Sequence, residues 1–138
     1  MIFADTDSGE RRVSSYSIDY LDDEKAVRIT TAGCLAPADH KRFSLDALEE
    51  ARRRSCRKFI ADHRQAGLDF TFMEIYEWPR QLKQFGLESN MRVAVVYAGS
   101  DPKARDYRFF EDVSFNQGLP LMRVFDDYDE ALKWLRGG

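Results

Sequence analysis

Residues 106–135 constrain the fold more than any other stretch of this 138-residue chain. Their pattern predicts an amphipathic helix that ends at Gly118, a strand over 121–125, and a second helix that Asp127 caps. Both helices carry an apolar face that must lie on a sheet, and the strand between them must belong to that sheet. The stretch therefore predicts an α/β fold.

The segments before this stretch continue the alternation of strands and helices. Residues 16–21 and 27–30 each alternate apolar and polar side chains on either side of a polar turn, which predicts a hairpin of antiparallel strands. Gly33 is expected to end the second strand. Further along, the pattern predicts a helix over 37–54, a strand over 58–62 and a loop over 63–69. It then predicts a helix over 71–86 and a central strand over 91–97.

The complete order of elements is β-β-α-β-α-β-α-β-α. This order predicts one mixed sheet of about five strands, with an N-terminal hairpin, parallel later strands, and about four helices packed against the sheet. Residues 1–15 are polar and are expected to form a mobile tail, whereas 16–138 are expected to form a single domain.

Composition excludes several functional classes. The formal net charge of −3 provides no basic field for a nucleic acid. The longest apolar run, 93–98, is far shorter than the roughly 20 residues that a transmembrane helix needs. Acidic residues near the start of the chain argue against a signal peptide, so we expect a cytoplasmic protein whose two cysteines are reduced.

No group of residues has the spacing of a metal site or a catalytic site. His40, His63, Cys34 and Cys56 lack the close spacing of a structural zinc site, and the histidines are interpreted as a surface residue on a helix and a residue at a strand end. Cys56 follows a basic cluster but is interpreted as a buried, inert thiol. We therefore expect no enzyme activity, no metal and no cofactor.

The end of the chain carries a recognisable pattern. It combines RFFEDV at 108–113, RVF at 123–125 and DEALKWL at 129–135. This resembles the C-terminal signature of the SpoIIAA-like, or STAS/SEC14-type, small bacterial proteins, and the order of elements is similar from about Tyr16 to Leu135. The resemblance implies a four- or five-stranded sheet covered by helices. Among the better-known relatives are STAS domains such as anti-anti-sigma factors, which are non-enzymatic and bind a protein partner.

The resemblance also implies a place for a regulatory phosphate. Those STAS relatives are switched by phosphorylation in an Asp-Ser-[Ser/Thr]-Gly motif at the start of the helix after the third strand. The corresponding segment here reads LDFTF at 68–72, in which Asp69 and Thr71 match and no glycine follows. Thr71 is therefore the candidate for a vestigial phospho-switch.

The carboxyl ends of the predicted parallel strands are where an open α/β sheet binds a ligand. Seven residues near that edge are candidates for a ligand pocket: Asp62, His63 and Arg64 after the third strand, Phe72, Tyr76 and Trp78 as an aromatic roof, and Tyr97 after the fourth strand. A pocket with this lining would take a small apolar or amphipathic ligand. The alternative interpretation is that the aromatic residues belong to the core.

Three functions from different classes follow. The leading hypothesis is a non-enzymatic binding or regulatory module of STAS type that acts through a protein partner. The alternative is a carrier or sensor of a lipid or other small apolar ligand. The third is an enzyme that uses Asp62, His63 and Arg64, which would have to converge in a cleft. A homodimer is a further expectation, because a two-fold contact is the commonest way to cover exposed apolar surface.

Overall fold

The computed structural model describes residues 14–117 and 122–137. Its five strands are β1 (Ser15–Leu21), β2 (Ala26–Leu35), β3 (Lys58–Leu68), β4 (Arg92–Val96) and β5 (Met122–Phe125). They form one sheet in the order β1-β2-β3-β4-β5, in which β1 is antiparallel to β2 and every later pairing is parallel. The predicted mixed sheet with an N-terminal hairpin is confirmed.

Four helices cover the two faces of this sheet. They are α1 (Pro37–Arg54), α2 (Phe72–Phe85), α3 (Ala104–Asn116) and α4 (Tyr128–Gly137). Alternate side chains of the strands define two layers. In β4, Val93 and Val95 face the core under α1, α2 and α3, whereas Ala94 and Val96 face the core under α4.

Helix α1 begins and ends where the sequence predicts. Pro37 occupies the first turn, and the Asp39 carboxylate accepts a hydrogen bond of 2.8 Å from the backbone N–H of Ala36. The apolar stripe of Phe43, Ala47, Leu48 and Ala51 is buried against the sheet. Each large apolar side chain that is buried in this way contributes about 1.5–3 kcal/mol.

Strands β2 and β3 are longer than predicted. Gly33 has a φ of 87° and lies within β2 instead of ending it. The loop predicted over 63–69 is wrong for most of its length, because β3 continues to Leu68 and Gly67 pairs with Cys34. The register between β2 and β3 shifts once, between Thr30 and Ala32. Backbone pairing to a long neighbouring strand thus extends β3 through residues with no strand periodicity of their own.

Helix α2 contains Pro79 without being interrupted, whereas a proline at this place in the sequence would favour a break or a kink. Pro79 is fully buried. The helix approaches α1 and α3 closely with its backbone and stands further from the strands. Large side chains therefore fill the space between α2 and the sheet.

The remaining predictions concern the chain ends and the α3–β5 connection. The predicted tail over 1–15 lies outside the described residues except for Ser14 and Ser15, and Ser15 opens β1. The predicted stop at Gly118 also lies outside them. The backbone N–H of Glu130 donates to Asp127 Oδ1 at 3.1 Å, which confirms the cap of α4. Within the described residues, none of the helices combines the length and apolar character needed to cross a bilayer.

Candidate functional site

The three polar residues Asp62, His63 and Arg64 lie on β3, and they do not converge. Successive strand residues point to opposite faces of a sheet. His63 is 3% exposed and lies under α1, whereas Asp62 and Arg64 lie on the α4 face and form an ion pair of 2.8 Å. The cleft that the enzyme hypothesis requires is not formed by these residues.

Asp62 and Arg64 instead connect β3 to α4. The guanidinium of Arg64 lies 4.6 Å from the centre of the Tyr128 ring. Burial raises the pKa of Asp62, but the hydrogen bonds and charge of Arg64 outweigh this effect and leave the pKa below its ordinary value. The Tyr128 hydroxyl also accepts a hydrogen bond of 3.1 Å from Arg28. These contacts join the sheet to α4 and are interpreted as structural.

His63 is the polar centre of the opposite face. Its Nδ1 is 2.7 Å from Thr31 Oγ1, and its ring centroid lies 5.6 Å from that of His40 and 6.3 Å from that of Tyr107. Burial lowers the pKa of His63 to about 4, against a weaker opposing effect of Asp62. The imidazole is therefore neutral at pH 7.

His40 lies on the same face, and its interpretation as a surface residue is wrong. It is 9% exposed, and its ring contacts Phe43, Phe70 and Trp78 at centroid distances of 4.6, 4.5 and 4.8 Å. Burial, and secondarily the charge of His63, lowers the pKa of His40 well below its ordinary value. Within the described part of the chain, Nε2 of His40 has no hydrogen-bond partner.

A cavity of about 90 Å³ lies between these histidines and the helices above them. Its walls come from the sheet and from α1, α2 and α3. All of its lining residues are buried except Leu68, Val93 and Asp106, which are partly exposed. The volume is well below the about 300 Å³ of a pocket for a drug-sized molecule, so this cavity does not fit a lipid chain.

Two of the seven predicted pocket residues, His63 and Trp78, line this cavity. Tyr97 does not line the cavity, but its ring stacks on that of the lining residue Tyr107 with the ring centroids 4.9 Å apart. The other four predicted residues lie elsewhere: Asp62 and Arg64 on the α4 face, and Phe72 and Tyr76 on the surface.

Sequence reasoning did not place His40 or Tyr107 in a pocket, although both line this cavity. A signal for His40 was present, because it lies three residues before Phe43 and seven before Ala47, on the buried stripe of α1. Phe70 belongs, with Phe72, Tyr76 and Trp78, to the aromatic cluster after the third predicted strand on which the carrier hypothesis rests, and Phe70 does line the cavity. Tyr107 precedes Phe110 and Val113 on the buried side of α3 and could have been found in the same way as His40.

Large apolar side chains are exposed on α2 and α3, two helices that are in contact with each other. Phe72, Met73 and Tyr76 on α2 are 61%, 62% and 42% exposed, and Phe115 on α3 is 67% exposed. We refer to these four residues as the α2–α3 patch. The Phe72 ring stacks on that of Phe109 at 4.2 Å, and the helices are also joined where Gln117 Nε2 donates to the Tyr76 carbonyl at 3.4 Å.

Comparisons with known proteins bear on the fold. Neither a family model nor a curated protein matches the sequence. A crystal structure of an anti-sigma factor antagonist from Mycobacterium paratuberculosis superposes with a TM-score of 0.58 at 14% identity, covering 90% of this chain and 95% of that one. An uncharacterised DUF3478 family protein with a SpoIIAA-like fold, from Shewanella loihica, has a TM-score of 0.58 at 19% identity, covering 93% and 98%.

This chain has the SpoIIAA-like fold. The resemblance seen in the closing pattern of the sequence is thus confirmed at the level of the fold. Identities below 20% carry no residue roles from those structures to this one. The site of this SpoIIAA-like domain must therefore be argued from its own side chains.

Thr71 occupies the start of α2 in this SpoIIAA-like domain. Its Oγ1 accepts a hydrogen bond of 3.1 Å from the backbone N–H of Glu74, and its own N–H donates to the Glu74 carboxylate at 2.8 Å. This reciprocal pair is a capping box. Thr71 is exposed and lies next to Phe72 of the α2–α3 patch. Its role as a phospho-switch remains a prediction.

Proposed function

We propose that this protein is a non-enzymatic regulatory module that binds a protein partner through the α2–α3 patch. The observation that carries the proposal is the exposure of four large apolar side chains, Phe72, Met73, Tyr76 and Phe115, on two adjacent helices. Adjacent exposed apolar residues commonly mark an interaction site, whereas single ones are usual on any surface.

The patch is partly pre-organised for binding. Phe72 is fixed by its stack on Phe109, so less side-chain freedom is lost when a partner covers it. Aromatic residues are also the side chains most enriched at the centres of protein interfaces, and three of the four patch residues are aromatic. Phe72 and Tyr76 lie one helical turn apart, which is the spacing of anchors on a helix face.

The charges around the patch favour a protein over a membrane surface. Helix α2 carries two acidic residues, Glu74 and Glu77, and two basic ones, Arg80 and Lys83. Helices that lie on anionic lipid are rich in lysine and arginine on the polar face, and this balance supplies no such attraction. The fold adds support, because a structure with the same fold is described as an anti-sigma factor antagonist.

Site-specific photo-crosslinking tests the proposal. The crosslinking amino acid p-benzoylphenylalanine replaces Tyr76 in one variant and Leu45 in a control, since Leu45 is an apolar residue on α1 that is also 41% exposed. Irradiation in cells of the source organism should give a defined crosslinked protein from position 76 and not from position 45. A second substitution, Phe115→Ser, should abolish the product at position 76.

Three results would contradict the proposal. They are equal crosslinking at both positions, crosslinking to lipid alone, and a product that contains two copies of this chain and nothing else. The last result would support the expected homodimer instead. Sedimentation of the wild-type protein and of Phe72→Ser then shows whether the patch is the contact of a homodimer, because a dimer through the patch should dissociate in the variant.

A further inference from the structure

His40 connects α1 to α2 and to the segment that precedes α2. Its ring lies on the buried stripe of α1 and contacts the rings of Phe70 and Trp78 at centroid distances of 4.5 and 4.8 Å. Phe70 and Trp78 also contact each other edge to face at 6.1 Å. We refer to these three rings as the His40 contact. Through it, α1 packs on α2 and on the residues just before α2.

The His40 contact suits a neutral imidazole and not a charged one. His40 is 9% exposed, and its Nε2, like the hydroxyl of Tyr107, has no hydrogen-bond partner within the described residues. An imidazolium carries a hydrogen on both ring nitrogens, so protonation would bury an N–H at Nε2 that lacks an acceptor. The same proton would place a charge among apolar rings, and a buried charge is tolerated only when it is paired.

The groups around His40 supply no suitable counter-ion in the described part of the chain. His63 on β3, with its ring centroid 5.6 Å away, acts in the opposite direction, because its charge also disfavours protonation of His40. Asp106 on α3 lines the same cavity, together with Tyr107, but lies 3.8 Å from the ammonium of Lys103. Asp39 on α1 pairs with Arg42 at 2.6 Å. Other charged side chains on the neighbouring elements are exposed or partly exposed: Lys41 on α1, Asp69 before α2, and Glu74, Glu77, Arg80 and Lys83 on α2.

Helix α2 is the neighbour of His40 that is held least firmly. It packs closely on α1 and α3 and stands further from the strands. The side chains that bond it to α3 are exposed: Lys83 Nζ donates to the Gln117 carbonyl at 2.6 Å, and Gln117 Nε2 donates to the Tyr76 carbonyl at 3.4 Å. Segments with few close contacts open locally at a lower free energy than the rest of a domain. Opening of α2 would therefore hydrate His40 while the sheet and α4 stay folded.

We propose that residues 69–85, which comprise α2 and the segment before it, form an acid-sensitive lid that opens when His40 takes up a proton. In the closed lid His40 is neutral and covered by Phe70 and Trp78. In the open lid the imidazole is hydrated. Opening is a property of the free chain. Its consequence for a protein partner, through Phe72 and Tyr76 on α2, rests on the proposed function.

Proton linkage gives the direction and the size of the effect. Burial lowers the pKa of His40 in the closed lid well below its ordinary value of 6.5, so the open lid binds a proton that the closed lid does not. The opening constant is therefore unchanged above about pH 7 and rises as the pH falls below 6.5. At pH 5.5 it should be about tenfold larger than at pH 7.5.

Hydrogen exchange of the full chain at pH 7.5 and pH 5.5 tests this inference. Each measured rate is divided by the intrinsic chemical rate of that amide at the same pH, which gives its protection. Protection in α2 should fall about tenfold at pH 5.5. Amides in α4 should remain better protected than those in α2 at both pH values, because the lid opens without unfolding of the α4 face.

Two variants identify the group that titrates. His40→Phe keeps a ring beside Phe70 and Trp78, removes no hydrogen bond at Nε2 and cannot take up a proton, so it is expected to fold. The pH effect on α2 should be absent in this variant. His63→Asn removes the other buried imidazole and leaves His40, and the pH effect on α2 should persist there. If His63→Asn does not fold, the comparison of the wild type with His40→Phe still decides.

Three results would overturn the inference. They are equal protection of α2 at the two pH values, equal protection of α2 and α4 at both pH values, and a pH effect that survives in His40→Phe. The second result would show that α2 exchanges only when the whole domain unfolds, and the third that another group titrates. None of them affects the proposed partner, since crosslinking from position 76 does not depend on opening of the lid.

Discussion

The two faces of the sheet are packed by different means. On the α4 face, the fully buried core within the described residues has six aliphatic members, each 0% exposed: Ala26, Ile60, Ala94, Val96, Ala131 and Leu135. Partly buried residues such as Phe125 and Trp134 pack against them. On the other face, three helices cover a larger core that combines aliphatic residues with buried aromatic rings and also contains His40, His63 and a cavity of about 90 Å³. The same strands supply both faces.

The difference shows how side-chain size determines the quality of packing. Alanine and valine on β4 let α4 approach the strands closely, and the residues at that contact are 0% exposed. Helix α2 stands further from the strands, and rigid rings such as those of Trp78 and Phe70 fill the space imperfectly. The face that is packed less completely also carries the unpartnered polar atoms. Both the cavity and the exposed patch belong to it.

Large-to-small substitutions on the two faces should give the largest difference in the free energy of unfolding. Leu135→Ala, on the α4 face, should lower the free energy of unfolding by about 4 kcal/mol, within the range for a fully buried leucine. Leu82→Ala, beside the cavity, should cost about 2–3 kcal/mol, because Leu82 already lacks neighbours on one side. Urea denaturation measures both values. An equal or larger loss for Leu82→Ala would remove the distinction between the faces.

Acid should destabilise the protein through the histidines of the cavity face. Burial lowers the pKa of His63 to about 4, so below pH 6.5 the unfolded chain takes up a proton that the folded chain does not. The contribution of neutral His63 to the free energy of unfolding is therefore fully present above pH 6.5. The free energy of unfolding should fall by about 3 kcal/mol between pH 6.5 and 4 from His63 alone. The pKa of His40 is lowered in the same direction and should add to the loss.

Denaturation by urea at a series of pH values measures this effect. In His63→Asn the slope between pH 6.5 and 5 should be smaller, since His40 alone remains to titrate. The carboxylate of Asp62 does not account for this range, because its pKa lies below the ordinary value for an aspartate. A stability that is flat or rises as the pH falls would show that these imidazoles are not desolvated.

Removal of the helix caps compares α2 with α4 directly. Thr71→Ala and Asp127→Ala each delete one side-chain acceptor for a backbone N–H and should each cost about 1 kcal/mol. The local response should differ. Hydrogen exchange in the first turns of α2 should accelerate more than in α4, because α2 has fewer close contacts with the sheet. Equal acceleration in both helices would show that the distance of α2 from the strands does not affect its local stability.

The smallest effect is expected at the edge of the α4 face. Arg64→Gln removes the ion pair with Asp62 and the contact with the Tyr128 ring. Because the Arg64 side chain is 43% exposed, the loss of stability should be about 0.5–1 kcal/mol. A double-mutant cycle with Asp62→Asn measures the coupling. A coupling above about 2 kcal/mol would indicate a role for this pair beyond joining β3 to α4.

Most of the fold could be predicted from local patterns. Alternation in 16–21, the helical stripe in 37–54 and the cap at Asp127 each reflect a single element and its solvent boundary, and each is confirmed. The spacing of apolar residues within one element predicts which side of that element is buried. The extension of β3 through Gly67 could not be read in this way, because a neighbouring strand supplied the hydrogen bonds.

In the candidate site, too, some features could be predicted from local sequence patterns and others could not. The sequence by itself determined that Trp78 lies within a helix that begins at Thr71, but its placement of His63 at the end of a strand was wrong, because His63 lies in the middle of β3. Tertiary structure alone decided that Asp62 and Arg64 face away from His63, and that Tyr107 from a distant helix completes the cavity. The physical reason is that residues 63–68 become a strand only because they pair with β2, and in a strand successive side chains point to opposite faces. A cavity, moreover, is a property of how several elements fail to fill a shared space.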